Sequence, residues 1–493
     1  MYRLLLYCLS FLVVIALIFS FLGKLSFNPA DFIFSTFFLL FFCLLINVIF
    51  AKVFEAPSNI ESVYITALIL TFIIDPIQSP NQILFLFFVS GIAMASKYIL
   101  AIFKKHIFNP VAISVAIASL AVGQSASWWV GNLYMAPFVL AVGLLITRKI
   151  RKADLVISFF SVSAIAILLN GFFTGGNVLT SMEFILFYSF LLFLGFVMVT
   201  EPMTTPPTRN LRIIYGGIVG FLSAPFVHIS GFYFTPEIAL LVGNIFAYVV
   251  SPKEKMVLKL KEKIKIADNT YDFAFTPDRR LNFKPGQYLE WTLSHEKRDN
   301  RGMRRYFTIA SSPTEKDIIM GVKFYENPSS YKKALLSMSN GDAIVASQLA
   351  GDFILPKDKN KKLIFIAGGI GVTPFRSIVK YLIDNNEKRD VVIFYSNRSF
   401  SDIAYKDIFD QASQKFGIKT IYCLSDLNSI PQDWKGEKGF VNKEMIKKYA
   451  PDFMDRMFYI SGPRSMILAV QKSLKDTGIH KSHIKTDFFP GFA

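Results

Sequence analysis

Two short segments in the C-terminal half of the chain combine residue types that bind nucleotides. Arg305-Tyr306-Phe307-Thr308-Ile309-Ala310-Ser311 places a guanidinium, aromatic rings and hydroxyls on one stretch. A guanidinium offers a planar fork of donors that suits a phosphate. Gly368-Gly369-Ile370-Gly371-Val372-Thr373-Pro374 follows an apolar run, and glycines at a helix start let the backbone approach a phosphate closely. The two segments predict two nucleotide-binding seats in one soluble region.

The elements around these segments change type along the chain. A short charged linker at 251–255 follows the apolar N-terminal half, and alternating stretches such as 257–260 and 271–275 then predict β-strands. From about residue 359, apolar strands alternate with amphipathic helices, which predicts a parallel sheet with right-handed crossovers. We therefore expect domains at 251–358 and 359–493. The glycine turn alone is a weak signal, because it does not meet the G-x-G-x-x-G spacing.

The segment at 305–311 matches an Arg-x-(Tyr/Phe)-(Ser/Thr)-x-x-Ser pattern, and here the chain resembles the ferredoxin–NADP⁺ reductase superfamily. The resemblance implies an FAD-binding antiparallel β-barrel followed by an NAD(P)-binding α/β domain. It places Arg305 at the FAD pyrophosphate, Phe307 flat on the isoalloxazine ring and Thr308 at flavin N5. The residues that it assigns to FAD are Arg305, Tyr306, Phe307, Thr308, Ser311, Lys323, Ser329, Ser330, Phe489 and Phe492.

The same resemblance covers the nicotinamide seat. Thr373-Pro374 directly follows the glycines, and the segment 461–466 is similar to the family's Cys-Gly-Pro-x-x-Met turn, with Ser461 in place of the cysteine. In the C-terminal tail, Asp487 takes the position of an acid that helps the transfer, so Thr308, Ser461 and Asp487 are the expected catalytic residues. The residues assigned to NAD(P) are Gly368, Gly369, Gly371, Thr373, Pro374, Arg398, Gly462, Pro463 and Met466. Arg398 is compatible with either NADPH or NADH, and the choice stays open.

The N-terminal 250 residues have the composition of a membrane domain. The whole chain is 53% apolar with a mean hydropathy of +0.42. About ten apolar segments approach the length that a bilayer requires. They lie at 4–22, 32–51, 60–74, 83–103, 107–122, 128–146, 153–173, 183–200, 211–230 and 236–250. Basic residues concentrate in alternate loops, which by the positive-inside rule puts the N-terminus and the reductase region in the cytoplasm. We expect a multi-pass protein of the cell (inner) membrane.

Two similar proline-rich segments, called the sequence echo below, indicate a repeat within this domain. Asp75-Pro76-Ile77-Gln78-Ser79-Pro80 resembles Glu201-Pro202-Met203-Thr204-Thr205-Pro206, 126 residues later. Five predicted spans separate the copies, and repeats of an odd number of spans have opposite orientations. The echo predicts a five-plus-five inverted repeat. The alternative is that both segments are proline-rich turns between helices.

Two motifs of the membrane domain, His106-Ile107-Phe108-Asn109-Pro110 and the segment 200–208, resemble those of the RnfD/NqrB family of flavin-carrying membrane subunits. That family attaches FMN to a Thr in a Ser/Thr-Gly-Ala-Thr motif, which this chain lacks. The resemblance therefore implies a non-covalent FMN or riboflavin, or a quinone, in the membrane domain. Polar groups within spans are often functional, although helix capping and hydrogen bonding between helices explain them equally well. The candidate residues are Asn109, Glu201, Thr204 and Thr205.

Charge and composition also bear on which partners and cofactors the sequence predicts. Residues 251–493 hold 41 Lys/Arg and 28 Asp/Glu, which favours attraction to an anionic lipid bilayer. The basic residues form no dense stripe, so a nucleic-acid partner is not expected. The three cysteines are too few for the four thiolates of an iron–sulfur cluster, and no metal site is expected. The sequence predicts a membrane-bound, FAD-dependent NAD(P)H oxidoreductase that passes electrons to a flavin or quinone site, with an unknown final acceptor.

Three alternative functions share this soluble half. A haem-bearing ferric reductase or NADPH oxidase requires pairs of axial histidines. The five histidines, of which only His106 and His228 lie near membrane segments, make haem unexpected. A transporter with a redox-sensing domain would move solute without NAD(P)H. A soluble-type reductase on an inert anchor would need far fewer than ten spans.

Overall fold

The computed structural model describes residues 2–54, 60–102, 105–150, 152–187, 190–251, 256–295, 299 and 303–487. The chain divides into two compact units, Met1–Lys253 and Glu254–Ala493.

The first unit is built from apolar helices. They are α1 (Tyr2–Phe21), α2 (Pro29–Val53), α3 (Ile60–Ile73), α4 (Pro80–Ile99), α5 (Pro110–Val122), α6 (Ala136–Ile150), α7 (Ala153–Phe173), α8 (Val178–Phe187), α9 (Leu191–Phe193), α10 (Arg209–Leu222) and α11 (Pro236–Val250). Within the described residues, four helical segments are long and apolar enough to cross a membrane: Tyr2–Phe21, Pro29–Val53, Gln82–Ile99 and Ala153–Phe173. Three others, α3, α5 and α11, are apolar but shorter. Every predicted span contains helix, while the count of ten membrane crossings stays a prediction.

Three predicted spans differ from the helices observed. The span at 128–146 begins as a turn, because Trp128 is left-handed (φ 52°) and the Asn132 side chain accepts from the Tyr134 and Met135 amides at 2.9 and 3.0 Å. The span at 211–230 stops at Leu222, shortly before Pro225, since the residue before a proline disfavours helix. The span at 183–200 comprises the end of α8, then α9 and a π-helix, Leu194–Met198.

The two halves of this unit share several local features. A two-residue hairpin, β1 (Ala101–Ile102) with β2 (Lys105–His106), precedes α5, and an equivalent hairpin, β3 (His228–Ile229) with β4 (Phe232–Tyr233), precedes α11. Both helices begin at a proline, and these prolines are 126 residues apart, the offset of the sequence echo. Helix α2 packs on α4 as α7 packs on α10, and α4 packs on α5 as α10 packs on α11. These features match the offset of the two similar proline-rich segments, and the five-plus-five inverted repeat stays a prediction.

The second unit begins with a six-stranded antiparallel sheet. Its strands are β5 (Met256–Ala267), β6 (Thr270–Pro277), β7 (Tyr288–Thr292), β8 (Arg304–Thr308), β9 (Ile318–Lys323) and β10 (Ala343–Ala350), in the order β8-β7-β10-β5-β6-β9. One helix, α12 (Ser330–Ser337), packs Tyr331 and Leu335 into the core of this sheet. The flavin motif begins on β8, which is an edge strand of this sheet.

A six-stranded parallel sheet follows. It contains β11 (Leu363–Gly368), β12 (Val391–Asn397), β13 (Lys419–Leu424), β14 (Glu437–Lys438), β15 (Met457–Ser461) and β16 (Ile484–Asp487), in the order β14-β13-β12-β11-β15-β16. The helices are α13 (Thr373–Asp384), α14 (Lys406–Phe416), α15 (Lys443–Tyr449) and α16 (Arg464–Asp476). Because both faces are covered, β11 and β12 are buried along their whole length. The order of the strands reverses between β11 and β15, and ligands of such sheets bind at the carboxyl ends of the strands there.

Candidate active site

The carboxyl ends of β11, β15 and β16 bring three predicted residues to one edge. Ala367 of β11 pairs in register with Ser461, and Ser461 pairs with Asp487 of β16. Gly368 ends β11 one residue further on. The parallel pairing thus places the glycine turn, the Ser461 turn and the C-terminal acid side by side, although they are far apart in sequence.

The two glycine turns touch through their backbones. A Cβ added to Gly371 would lie 2.5 Å from the Cα of Gly462, and one added to Gly368 would lie 2.5 Å from the Sδ of Met466. Gly369 adopts φ 51°, and a Cβ there would meet nothing within 4 Å. A side chain at Gly371 would drive the turns apart, so glycine is required by the close approach itself.

The residues after the glycines lead into α13. Pro374 occupies the first turn of the helix, where its missing N–H leaves no bond unmade. Thr373 is buried, and its hydroxyl donates to the Ile370 carbonyl at 3.3 Å. Pro463 stands before the first residue of α16, so the Ser461 turn also runs into a helix N-terminus. Two helix N-termini therefore meet at this edge of the sheet, which is an electrostatic environment that suits phosphate.

The flavin motif distributes its side chains according to the pleat of β8. Arg305 is 4% exposed; its guanidinium lies 3.8 Å from Asp299 and 5.1 Å from the centroid of the Tyr331 ring. The Phe307 ring centroid lies 6.1 Å from that of Tyr331. Since successive residues of a strand face opposite sides, Tyr306 points away from both and donates its hydroxyl to Glu290 at 2.8 Å. Arg305 and Phe307 thus share a face that Tyr306 does not.

Thr308 meets the C-terminal acid. Its hydroxyl donates to Oδ2 of Asp487 at 2.9 Å, across 179 residues of sequence. Burial raises the pKa of Asp487 to about 7, and the bond from Thr308 opposes that rise only in part. The carboxyl group can therefore hold or release a proton near neutral pH.

The remaining residues assigned to FAD have protein partners. The Ser311 hydroxyl accepts from the Ile319 amide at 3.0 Å, and Ser329 caps α12 by accepting from the Lys332 amide at 3.3 Å. The Ser330 hydroxyl accepts from the Asp299 amide and contacts Nε2 of His295, each at 3.0 Å. Lys323 pairs with Asp402 of the nucleotide domain at 2.5 Å.

Two assignments concern the edges of the site. The side chain of Arg398 is 81% exposed and lies 3.6 Å from the carboxylate of Asp426. The expected aromatic shields, Phe489 and Phe492, lie outside the described residues.

The residues present fit FAD. Arg305 and Phe307 share one face of β8, and Thr308, on the other side of the pleat, ends the strand about 10 Å from Arg305 at the rise of an extended strand. A buried cation, an aromatic ring and a terminal hydroxyl in that order match a dinucleotide that carries phosphate at one end and a ring system at the other. The Gly369 turn, open on one side, leaves room for a second nucleotide.

Comparison with known proteins identifies the family of the C-terminal half. Residues 365–472 match the family model described as "Oxidoreductase NAD-binding domain". NADH-cytochrome b5 reductase 1 of Mortierella alpina is 31% identical over 237 residues, which cover 47% of this chain and 78% of that protein. The C-terminal half belongs to the ferredoxin–NADP⁺ reductase/cytochrome b5 reductase family. It is an FAD-dependent NAD(P)H oxidoreductase, and its FAD/NAD-binding fold confirms the prediction from the two motifs.

Two further relatives match this reductase half. The glycine betaine monooxygenase reductase subunit of Pseudomonas aeruginosa is 26% identical over 233 residues, 46% of this chain and 63% of that protein. One component of the Na(+)-translocating NADH-quinone reductase of Neisseria meningitidis is 34% identical over 204 residues, 38% of this chain and 49% of that protein. The chain thus spans only about half to two thirds of these two relatives.

Five polar residues of the first unit also come together, and Asn109 lies 92 residues from Glu201 and 135 residues from Asn244 in sequence. Asn109 caps α5 and donates through Nδ2 to Oε2 of Glu201 at 2.8 Å, while its backbone N–H donates to Oδ1 of Asn244 at 2.8 Å. The Thr204 hydroxyl donates to the same Glu201 oxygen at 3.3 Å. Asn244 in turn donates to the Tyr215 hydroxyl at 3.2 Å. We call Asn109, Glu201, Thr204, Tyr215 and Asn244 the α5–α11 polar cluster.

Basic groups border this cluster. Lys97 of α4 lies within electrostatic reach of Glu201, and its ammonium group donates to Oγ1 of Thr66 at 2.9 Å. Thr205 lies beside the cluster, and its hydroxyl accepts a hydrogen bond from the Lys152 ammonium group. Three of the four predicted membrane residues therefore share one site, and the fourth lies beside it.

Sequence reasoning missed several residues that shape these sites. In the reductase half they are Asp272, Glu290, Glu315, Arg376 and Tyr405; in the first unit they are Lys97, Tyr215 and Asn244. None stands in a recognised motif. The one available signal was a charged residue inside an apolar run, which marks Lys97 within α4. In the part of the chain that the structure describes, no group of three or more His, Cys, Asp or Glu side chains is arranged to hold a metal ion.

Proposed function

We propose that this protein is a membrane-bound oxidoreductase that passes electrons from NAD(P)H, through FAD, to a flavin or quinone site in its membrane unit. The observation that carries the proposal is the α5–α11 polar cluster, a buried carboxylate–amide–hydroxyl network among apolar helices, in a chain whose other half is an FAD-dependent reductase. Its immediate electron acceptor would then lie within the same polypeptide.

In the reductase half, each residue has a distinct task. Arg305 holds the FAD phosphates, and Phe307 supports the ring. Thr308 directs its hydroxyl toward the reacting nitrogen, and Asp487 holds or releases a proton beside it. FAD supplies the ability to take two electrons from a nicotinamide and to pass them on singly, while the protein supplies orientation.

The nicotinamide nucleotide lies across the two glycine turns. The backbone contact between Gly371 and Gly462 forms the floor of the seat, and the N-termini of α13 and α16 attract its phosphates. Ser461, in register with Asp487, would contact the nicotinamide next to the flavin. Whether the nucleotide carries a 2′-phosphate depends on Arg398 and its neighbour Asp426.

In the membrane unit, the polar cluster suits a carbonyl-bearing ring. A carboxylate, an asparagine amide and a tyrosine hydroxyl in one buried network can both donate to and accept from quinone or flavin oxygens and nitrogens. Such groups are rare in spans and usually mark substrate or proton paths. The resemblance to RnfD/NqrB proteins, which carry flavin in the membrane, points the same way. The final acceptor beyond this ring is a quinone or a partner redox protein.

The location follows from the same features. Four helices can cross a bilayer, and the predicted inner loops are basic, so the protein would sit in the cell (inner) membrane with the reductase half in the cytoplasm. NAD(P)H is available on that side.

The test separates the two halves in one purified full-length protein. Ferricyanide takes electrons from a reduced flavin at the surface, whereas a short-chain quinone analogue reports the membrane site. We expect Glu201→Gln to lower NAD(P)H:quinone turnover at least 10-fold while NAD(P)H:ferricyanide turnover and FAD content stay unchanged. Glu183→Gln, at an exposed glutamate of α8, is the matched control and should change neither activity.

Extraction with acid then identifies the membrane group. Two flavins per chain would indicate a flavin at the polar cluster, and one flavin with quinone reduction would indicate a quinone. Equal loss of both activities in Glu201→Gln, or no loss in either, would contradict the proposed path.

A further inference from the structure

Helix α13 is bound directly to the last two residues of the flavin motif, Ala310 and Ser311. The Arg376 guanidinium donates through Nη1 to the carbonyl of Ala310 at 3.1 Å, and the Ser377 hydroxyl donates to the carbonyl of Ser311 at 2.7 Å. Ala310 and Ser311 come two and three residues after Thr308. Arg376 and Ser377 come three and four residues after Thr373. One pair of adjacent residues therefore joins the nucleotide seat to the flavin seat.

The joint is reinforced by an ion pair. Arg376 contacts both oxygens of Glu315, with Nη2 to Oε1 at 2.9 Å and Nη1 to Oε2 closer still. A bidentate arginine–carboxylate pair fixes orientation as well as distance. Arg376 is 7% exposed and Ser377 is fully buried. Glu315 also accepts from the Ser312 amide at 2.6 Å, so the whole turn from Ala310 to Glu315 is held against α13.

A second contact lies beside the first. Tyr405, at the start of α14, adopts the left-handed conformation (φ 56°) and donates its hydroxyl to Oδ1 of Asp272 on β6 at 2.5 Å. A Cβ on Gly321 of β9 would lie 2.6 Å from that hydroxyl and 2.8 Å from Cγ2 of Thr373. Because Gly321 has no side chain, the FAD-binding sheet leaves room there for Tyr405 and Thr373 of the nucleotide domain. The Arg376 guanidinium lies 5.8 Å from the centroid of the Tyr405 ring, which joins the two contacts.

We propose that Arg376 and Ser377 are positioning residues that set the distance between the nicotinamide and the flavin. Neither is among the residues assigned to FAD or to NAD(P). They fix Thr373 and Pro374 relative to Thr308, and hence the separation across which hydride passes. The inference rests on the reductase activity of the C-terminal half and is independent of the proposed membrane acceptor.

The expected size of the effect follows from geometry. Hydride transfer requires reacting atoms about 3–3.5 Å apart, and a displacement of about 1 Å can lower a rate on the order of 100-fold. Loss of the joint should therefore lower the limiting rate of flavin reduction far more than it changes nucleotide affinity. A role in stability alone would lower the folded fraction and leave the rate per bound FAD unchanged.

The chain offers a matched control in Arg456. This arginine is equally buried, at 6% exposed, and binds two carboxylates, Asp390 at 2.7 Å and Asp452 at 2.6 Å. It directly precedes β15. Its partners Leu363, Asp390 and Asp452 all belong to the nucleotide domain. Arg456→Met thus removes a similar ion-pair network without touching the joint.

The experiment uses stopped-flow reduction of the purified full-length protein by NADH and NADPH, normalised to bound FAD. We expect Arg376→Met to lower the limiting rate about 10- to 100-fold, with the nucleotide dissociation constant changed less than about 3-fold, and to enlarge the isotope effect with 4-deuterated nucleotide. Arg376→Lys should recover part of the rate, Ser377→Ala should lower it about 3- to 10-fold, and Arg456→Met should leave it unchanged.

A second measurement does not depend on turnover. Hydrogen exchange of the peptides covering 309–315 and 373–378 should accelerate together in Arg376→Met and in Ser377→Ala, and in neither peptide for Arg456→Met. If Arg376→Met does not fold, Ser377→Ala decides both readouts. An unchanged reduction rate per FAD in the folded variant would overturn the inference. Since flavin reduction is measured without any quinone, this outcome is distinct from failure of the membrane path.

Discussion

The reductase half and the membrane unit build their sites in different ways. In the reductase half, local motifs end strands of one sheet, and the pairing of β11, β15 and β16 gathers them at a single edge. In the membrane unit, single polar residues of separate helices meet, as Asn109 meets Glu201 and Asn244. The first arrangement exposes its chemistry to a large soluble nucleotide. The second places its polar groups among apolar helices, with Asn109, Thr204, Tyr215 and Asn244 all buried.

The two sites should also differ in how they tolerate the loss of a single side chain. A motif at a strand end is supported by the sheet behind it, so loss of one side chain should remove a ligand contact and leave the fold. A polar network among apolar helices has no such support, since each lost partner leaves another group unsatisfied. Four predictions test this difference, from the largest expected effect to the smallest.

Arg305→Ala should weaken FAD binding strongly while the fold persists. The variant removes the buried cation on β8, and loss of charged hydrogen bonds to a phosphate weakens binding by roughly 3 kcal/mol, on the order of 100-fold. The measurement is the ratio of flavin to protein absorbance together with circular dichroism. Tyr306→Phe, which alters the opposite face of the strand, should keep its FAD. A colourless Tyr306→Phe variant would show that both faces of β8 hold the cofactor.

Gly371→Ala should lower NAD(P)H oxidation on the order of 100-fold with FAD retained, because the new Cβ would force the Ser461 turn away and misplace the nicotinamide. Gly417→Ala is the control, since it strains the left-handed C-cap of α14 by about 1 kcal/mol and touches neither glycine turn. If Gly371→Ala and Gly417→Ala lose activity to the same extent, the cause is lower stability of the fold. The Gly371–Gly462 contact would then not be the floor of the nicotinamide seat.

Asn244→Ala should lower quinone-linked turnover about 10-fold, because the Asn109 amide loses its acceptor at a typical penalty of about 1–3 kcal/mol. Ferricyanide reduction should stay unchanged. Asn210→Ala, at an exposed asparagine of α10, should affect neither activity. A thermal melting point that falls in Asn244→Ala as little as in Asn210→Ala would argue that the network is less coupled than the helices suggest.

Asp487→Asn should change the pH dependence more than the maximal rate. The pKa of Asp487 is raised from 3.8 to about 7, so the stability that its protonated form contributes is fully present below about pH 4 and is lost as pH rises through 7. The wild type should therefore lose apparent melting temperature between about pH 4 and about pH 7 relative to Asp487→Asn. Flavin reduction should show an inflection near pH 7 that the variant lacks. Identical pH profiles would remove the proton-handling role.

How far the sequence predicted these sites depends on the range of the interactions. The reductase fold and its two seats were predictable, because alternation, glycine turns and strand ends are local signals, and the family resemblance is confirmed. The outward face of Tyr306 and the pairing of Lys323 with Asp402 were not, since they depend on strand pleat and on contacts between domains. The joint formed by Arg376 and Ser377 has no local signature either.

In the membrane unit the pattern of hydropathy predicted helices, and it failed at their ends. Pro225 and the Trp128 turn shorten two predicted spans, because turn residues within an apolar run leave the average hydropathy high. The residues Asn109, Glu201 and Thr204 were selected from motifs and do come together. Their partners Asn244 and Tyr215 stand in ordinary apolar helices, and only the packing of α5, α10 and α11 reveals them.

The two halves of the first unit carry different side chains at positions that lie 126 residues apart. At the counterpart of Asn109 stands Thr235, and at the counterpart of Glu201 stands Asp75, which is exposed. The two halves thus offer different side chains at positions 126 residues apart, and a ligand at the α5–α11 polar cluster would not meet the same groups in the other half.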